Sequence, residues 1–238
     1  MSGLSLKDHY KNQKFNNLHE FFWGFGTAFH TVYAVVPLFL KELGAPNVIA
    51  TSSAGLFSII IAMPMLFTAA LTRNVTNMKK MVISAHCTIL IVTFILGYIF
   101  TFSGIGKSLI AWKIYFILFI IYSLSIGIIV PIWADFLEKT TKRSLRGKFF
   151  GVGFAFNSLG AFGGGILLKF LLETSIPFPK NFGYGFIILF FCLSIGTFFF
   201  AFYKEKKQNK SNTSFNQFKI ETKQIIKNRP NFHRYLFS

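Results

Sequence analysis

Six long apolar stretches, at 21–40, 48–71, 81–103, 109–136, 149–172 and 182–203, constrain this chain more than anything else in it. A helix needs about 20 residues to cross a hydrocarbon core about 30 Å thick, and each stretch meets that length without a run of charges. They are too long and too continuously apolar for the alternating strands of a membrane barrel. Between them lie turn-forming runs: Gly44-Ala45-Pro46-Asn47, Ser103-Gly104-Ile105-Gly106 and Pro177-Phe178-Pro179-Lys180-Asn181-Phe182-Gly183. The fold class read from this pattern is all-α, a polytopic membrane protein with six transmembrane helices. Only 14% of residues are charged and 33 are phenylalanine, whereas charged residues approach a quarter of a soluble domain.

The net charge of +17 would suit nucleic acid, but the basic residues sit in short runs between apolar segments, not on one folded face. They read as topology signals, and the partner they imply is the lipid bilayer. Twenty of the 25 Lys and Arg fall in the N-terminal arm, the second-to-third and fourth-to-fifth connections, and the tail. Lys41, Lys107 and Lys180 fall in the opposite loops. Lys113 and Lys169 lie near outer span ends, within snorkelling reach of the interface. The bias predicts both termini in the cytoplasm of a multi-pass protein in the plasma (inner) membrane. The expected organisation is a cytoplasmic arm over 1–20, a six-helix bundle over 21–203 and a basic tail over 204–238.

The polar first 19 residues lack the pattern of a cleavable signal, so the first span is expected to act as its own insertion signal. In the tail, Phe215, Phe218, Ile225 and Ile226 alternate with lysines near helical spacing. This reads as an amphipathic helix on the inner leaflet or as a solvated linker. Arg229-Pro230 and the following residues resemble the lead-in to a seventh span. Cys87 and Cys192 fall in separate apolar segments and form neither a disulfide framework nor a metal cluster.

The densest signals run from Gly127 to Gly165. An apolar helix containing Pro131 closes on Asp135 and Glu138, a loop follows with Lys139, Lys142, Arg143, Arg146 and Lys148, and a glycine-rich helix leaves it. Arg146-Gly147-Lys148-Phe149-Phe150-Gly151 at that junction, Pro37 to Ala45 at the end of the first span, and Arg73 with Lys79-Lys80 after the second carry a resemblance. Together with the span count, the chain resembles the N-terminal half of a major facilitator superfamily transporter over nearly all its length. It departs from the family where Thr72, not aspartate, precedes Arg73. Gly151, Gly160 and Gly164 have the spacing of an antiporter signature, but its next proline is Gly165 here and its later glycine pair is Leu168-Lys169. The resemblance implies half of a twelve-helix fold, with a small-molecule solute bound between two halves near mid-membrane. It implies a second six-helix half as partner, either a missing C-terminal half or a second copy.

Candidate residues follow from polar groups on apolar helices, which face a bundle interior or a cavity because facing lipid is costly. On the first span Gly26, His30, Tyr33 and Pro37 recur at i, i+4, i+7 and i+11, one face of a continuous helix. His30 and Tyr33 there read as cargo contacts or as interhelical hydrogen-bonding groups. Tyr115, Tyr122, Ser125 and Trp133 form a stripe on the fourth span. Tyr122 and Ser125 are cavity candidates, and Trp133 suits an interfacial anchor. His86 reads as a satisfied structural group. On the fifth span Gly153, Gly160 and Gly164 are helix-packing positions, which the resemblance implies press on the opposite half, and Asn157 on that face is a cavity candidate or a helix–helix hydrogen-bonding group. Arg73, Asp135 and Arg146 are candidates for a cytoplasmic gate, with Asp135 pairing to either arginine.

No carboxylate is expected near the middle of any span, so a proton-coupling group would be His30 or lie in the other half. No catalytic constellation or phosphate-cradling loop is present, and no enzyme activity, cofactor or metal is expected. The function expected is solute transport by alternating access. The alternative is a truncated fragment or accessory subunit that transports nothing by itself.

Overall fold

The computed structural model describes residues 4–72, 75–106, 108–205, 220, 223–224 and 228. Seven α-helices carry the described residues: α1 (Leu6–Thr27), α2 (Val35–Glu42), α3 (Asn47–Thr72), α4 (Met78–Phe102), α5 (Leu109–Thr140), α6 (Arg146–Leu172) and α7 (Lys180–Phe199). They make six helical units long and apolar enough to cross a membrane, with α1 and α2 together forming the first. The chain is therefore an all-helical, multi-pass membrane protein in its architecture. The expected tail helix falls almost entirely on residues outside those described.

Short polar side chains start these helices by accepting otherwise unpaired N–H groups. Ser5 Oγ takes Asp8 N–H at 3.0 Å, Asn77 Oδ1 takes Lys80 N–H at 2.9 Å and Ser108 Oγ takes Ala111 N–H at 3.1 Å. The Glu205 carboxylate adds a second cap on α4, accepting from Met78 N–H at 2.8 Å and Lys79 N–H at 3.0 Å. Inside the spans, hydroxyls of Thr93, Ser123 and Thr197 donate to carbonyls one turn back, so none asks for water.

The first span departs from expectation twice. It does not begin near residue 21: one helix runs from Leu6, and Asn12, Asn16, His19 and Glu20 are buried in the bundle. Residues 6–20 are not a free arm, because their polar face has partners. Asn12 Nδ2 donates to the carbonyls of Thr140 and Lys204, each at 2.8 Å, and Lys204 N–H returns a bond to Asn12 Oδ1 at 2.7 Å. Tyr203 Oη donates to Asn16 Oδ1 at 3.2 Å. These contacts put α1's start, α5's end and the chain after α7 at one end of the bundle.

The second departure is that the span is not one continuous helix. A 3₁₀ turn over Ala28–His30 and non-helical residues 31–34 separate α1 from α2. Pro37 then lies in the first turn of α2, where its missing N–H costs nothing, whereas in a continuous helix its ring would strike the carbonyl of residue 33. The expected common face of Gly26, His30, Tyr33 and Pro37 is broken with it. His30 is 2% exposed and Tyr33 is 80% exposed.

The helices pack in a pattern that repeats. α1 packs on α6 as α5 packs on α3, α1 packs on α7 as α5 packs on α4, and α4 pairs with α7. Exchanging the first three spans with the last three leaves these five pairings unchanged, whereas the contacts of α2 with α3 and of α6 with α7 have no comparable counterpart among the described residues. Each three-span unit has an odd number of crossings, so the two units run in opposite senses through the bundle. Consistent with that exchange, α3 and α6 are the peripheral pair: only 11% of the apolar window is buried in each, against 44% or 56% in the other spans.

Glycine lets α1 and α6 approach backbone to backbone. A Cβ at Gly24 would meet the Asn157 carbonyl, one at Gly160 the Phe21 carbonyl and one at Gly164 the Phe25 carbonyl, while Gly153 abuts the Asn16 amide. Small residues permit this in a membrane, where no hydrophobic drive separates helix from lipid. The glycine face thus lies against α1, not on the opposite half where it was expected. At the far end an aromatic cluster fills the centre, with Phe39 edge-on to Tyr115 at 4.7 Å and to Phe100 at 4.9 Å.

Candidate functional site

A pocket of about 200 Å³ opens between α1, α4, α5 and α6, where the two three-span units meet. α1 contributes His19, Glu20 and Trp23, and α4 contributes His86. Ile129, Val130 and Trp133 come from α5, and Phe154 and Asn157 from α6. Its depth follows from helix rise: Glu20 lies eight residues beyond Asn12, which is level with Thr140 and Lys204, or about 12 Å inward at 1.5 Å per residue. That places Glu20 well inside the helical unit Leu6–Glu42, which is long and apolar enough to cross a membrane.

Glu20 is the centre of this site. It is 4% exposed, and Asn157 Nδ2 donates to its Oε2 at 3.0 Å and to its backbone carbonyl at 3.3 Å. His19 Nε2 stands 4.0 Å from Glu20 Oε1. The tautomers of two histidines are set by their other nitrogens, since a carbonyl can only accept. His19 Nδ1–H donates to the Gly196 carbonyl at 3.1 Å, and His86 Nδ1–H to the Val82 carbonyl at 2.7 Å. In the neutral ring each Nε2 is left as an acceptor. Trp23 packs edge-on to His86 at 5.2 Å, and Trp133 edge-on to Phe150 at 6.2 Å. The Trp133 indole N–H has no hydrogen-bond partner among the described residues. Among the described residues the lining therefore offers one carboxylate, two imidazoles and an aromatic wall, with no lysine or arginine.

Among the expected site residues, only Asn157 reaches this pocket. His30 and Tyr122 come together elsewhere, with ring centroids 4.4 Å apart, and Tyr115 Oη lies 3.1 Å from His30 Nε2. That cluster is packed shut by Phe119 and Phe186. Ser125 donates to the Ile121 carbonyl at 2.9 Å, and Tyr33 points away from the bundle interior. Trp133, expected as an interfacial anchor, instead lines the pocket.

The gate residues also sort differently. Asp135 pairs with Lys139 one turn along α5 at 2.8 Å, and Arg146 pairs with Glu138 at 3.2 Å. Arg73 lies outside the described residues. The Arg146–Glu138 pair ties α6's start to α5's end, the mark of a loop staple more than of a latch across the bundle.

Hydropathy alone starts the first span at residue 21, which leaves Glu20 at its edge and His19 outside it, although the helix begins at Leu6. The signal was there: Asn12, Asn16, His19 and Glu20 at i, i+4, i+7 and i+8 form a polar helical stripe running straight into the apolar stretch. Compared with family models and with curated proteins, the chain matches none.

Proposed function

We propose that the chain is one six-helix half of a secondary transporter that moves a small solute by alternating access. The observation that carries this reading is a carboxylate, Glu20, buried at membrane depth beside an open pocket. An intramembrane acid is costly and marks substrate or ion pathways by default. Support comes from the pairing of the spans, whose exchange symmetry is that of two inverted three-helix units, a plan recurrent in transporter halves. The peripheral α3 and α6 offer apolar faces on which a second half packs, and the pocket between the two units then lies toward the centre of the pair. In this reading Glu20, and not His30, is the charged group that responds to cargo or to a coupling ion. The basic loops hold both ends in the cytoplasm, and the membrane is the plasma (inner) membrane.

The reading is tested in proteoliposomes containing the purified chain by screening radiolabelled solutes for saturable uptake and counterflow. Uptake that Glu20→Gln reduces at least tenfold is the expected result. A correctly inserted, folded chain that crosslinks only as a monomer and moves no solute overturns it, in favour of a non-transporting membrane subunit.

A further inference from the structure

The pocket's chemistry identifies a class of cargo, an inference that rests on the transport reading for its biological use but not for its test. We infer that Glu20, Trp23 and Trp133 form a binding site for a small organic cation, an ammonium-bearing solute with an apolar body. The charge balance of the lining decides the sign. Glu20 is its one acid, and its two histidines each spend Nδ1–H on a backbone carbonyl. An anion would meet Glu20 with no lysine or arginine to offset it. A neutral solute would leave the carboxylate with only Asn157, among the described residues, as donor within hydrogen-bond distance, at 3.0 Å. A cation supplies the missing counter-charge, and the two indoles in the same lining are aromatic groups of the kind that attract it.

Size narrows the class. The pocket, about 200 Å³, is smaller than the roughly 300–1,000 Å³ of sites for drug-sized ligands. Apolar Ile129, Val130 and Phe154 complete the wall and suit methyl or methylene groups around the charge. A quaternary ammonium meets these demands with its charge on Glu20 and its methyl groups against the apolar wall.

The probe is choline, set against 3,3-dimethylbutan-1-ol, which has the same shape and no charge. Binding to the full chain in nanodiscs is read by equilibrium dialysis of the labelled compounds, with helix content and thermal unfolding confirming the fold. Choline is expected to bind saturably and the neutral isostere at least about tenfold more weakly. Glu20→Gln should weaken choline on the order of tenfold or more, and Trp133→Leu about three- to tenfold. Trp133→Leu carries the test if Glu20→Gln does not fold. Absence of choline binding, equal binding of the isostere, or affinity untouched by either folded variant overturns the cation site. Saturable choline binding with no uptake of any solute keeps the cation site and removes the transport reading. Uptake of an anionic solute alone does the reverse.

Discussion

Asn157 on α6 donates to the Glu20 carboxylate on α1 across one of the closest helix contacts in the bundle, with Nδ2 and Oε2 3.0 Å apart. The carbonyl of the same asparagine faces Gly24 one turn along α1, so side chain and backbone of one residue both register the two helices. Asn157→Ala removes the donor and leaves a carboxylate short of a partner in an apolar layer. A loss of about 1–2 kcal/mol is expected, measured by thermal or denaturant unfolding in a mild detergent. Asn157→Gln should restore only part of it, because an amide carried one methylene further cannot keep both bonds to Glu20, at its backbone carbonyl and at Oε2.

The glycine seam gives a sharper contrast. Gly160→Ala places a methyl against the Phe21 carbonyl, and Gly164→Ala places one against the Phe25 carbonyl. Each should cost about 1–3 kcal/mol through forced separation of α1 and α6. Gly165→Ala, one residue on, meets nothing within 4 Å and should leave the unfolding temperature unchanged or slightly raised. Equal effects at 164 and 165 would refute the packing described.

Asn12 binds the ends of two other spans with three hydrogen bonds. Asn12→Ala should therefore raise amide hydrogen exchange at Lys204, whose N–H loses its acceptor, without altering exchange in the middle of α5. Stability should fall by about 1–3 kcal/mol.

Acidification should weaken the binding of a quaternary cation. Such a ligand cannot lose its charge, so the pH response belongs to the protein. The titratable groups around Glu20 are His19 on the same helix, His86 from α4 and Tyr203 just after α7; α5 and α6 present Trp133 and Asn157, which do not titrate. Protonating Glu20 removes the attraction, and a tyrosine that stays neutral adds nothing. Choline affinity measured between pH 8 and pH 5 should decline monotonically, and Glu20→Gln should flatten most of the slope.

Topology is open to a direct check. In a background without Cys87 and Cys192, Ser144→Cys in the basic turn before α6 should react with an impermeant maleimide only after the membrane is opened. Ser103→Cys, exposed at the opposite end of the bundle, should react in intact cells.

Span number and helix type were legible because length and apolar continuity leave a bilayer-crossing helix little alternative. The site was less legible, for two separate reasons. Hydropathy marks where a helix is apolar, not where it starts, so α1's polar stripe up to Glu20 looked like an arm. Periodicity assumes an unbroken helix, and the break at 31–34 turned His30 inward and Tyr33 outward. Asn157 was recognised because it sits on an uninterrupted helix among glycines, where the 3.6-residue repeat holds. The polar stripe of α1 marks Glu20 as well, but its pairing with Asn157 shows only where the two helices lie side by side.

Where backbone meets backbone along Gly24, Gly160 and Gly164, no layer of side chains remains to shear. α1 and α6 must travel as a single body through any conformational cycle, carrying Glu20 and Asn157 in fixed relation. In the transport reading proposed above, the walls free to move against Glu20 are those supplied by α4 and α5, with His86 and Trp133 on them.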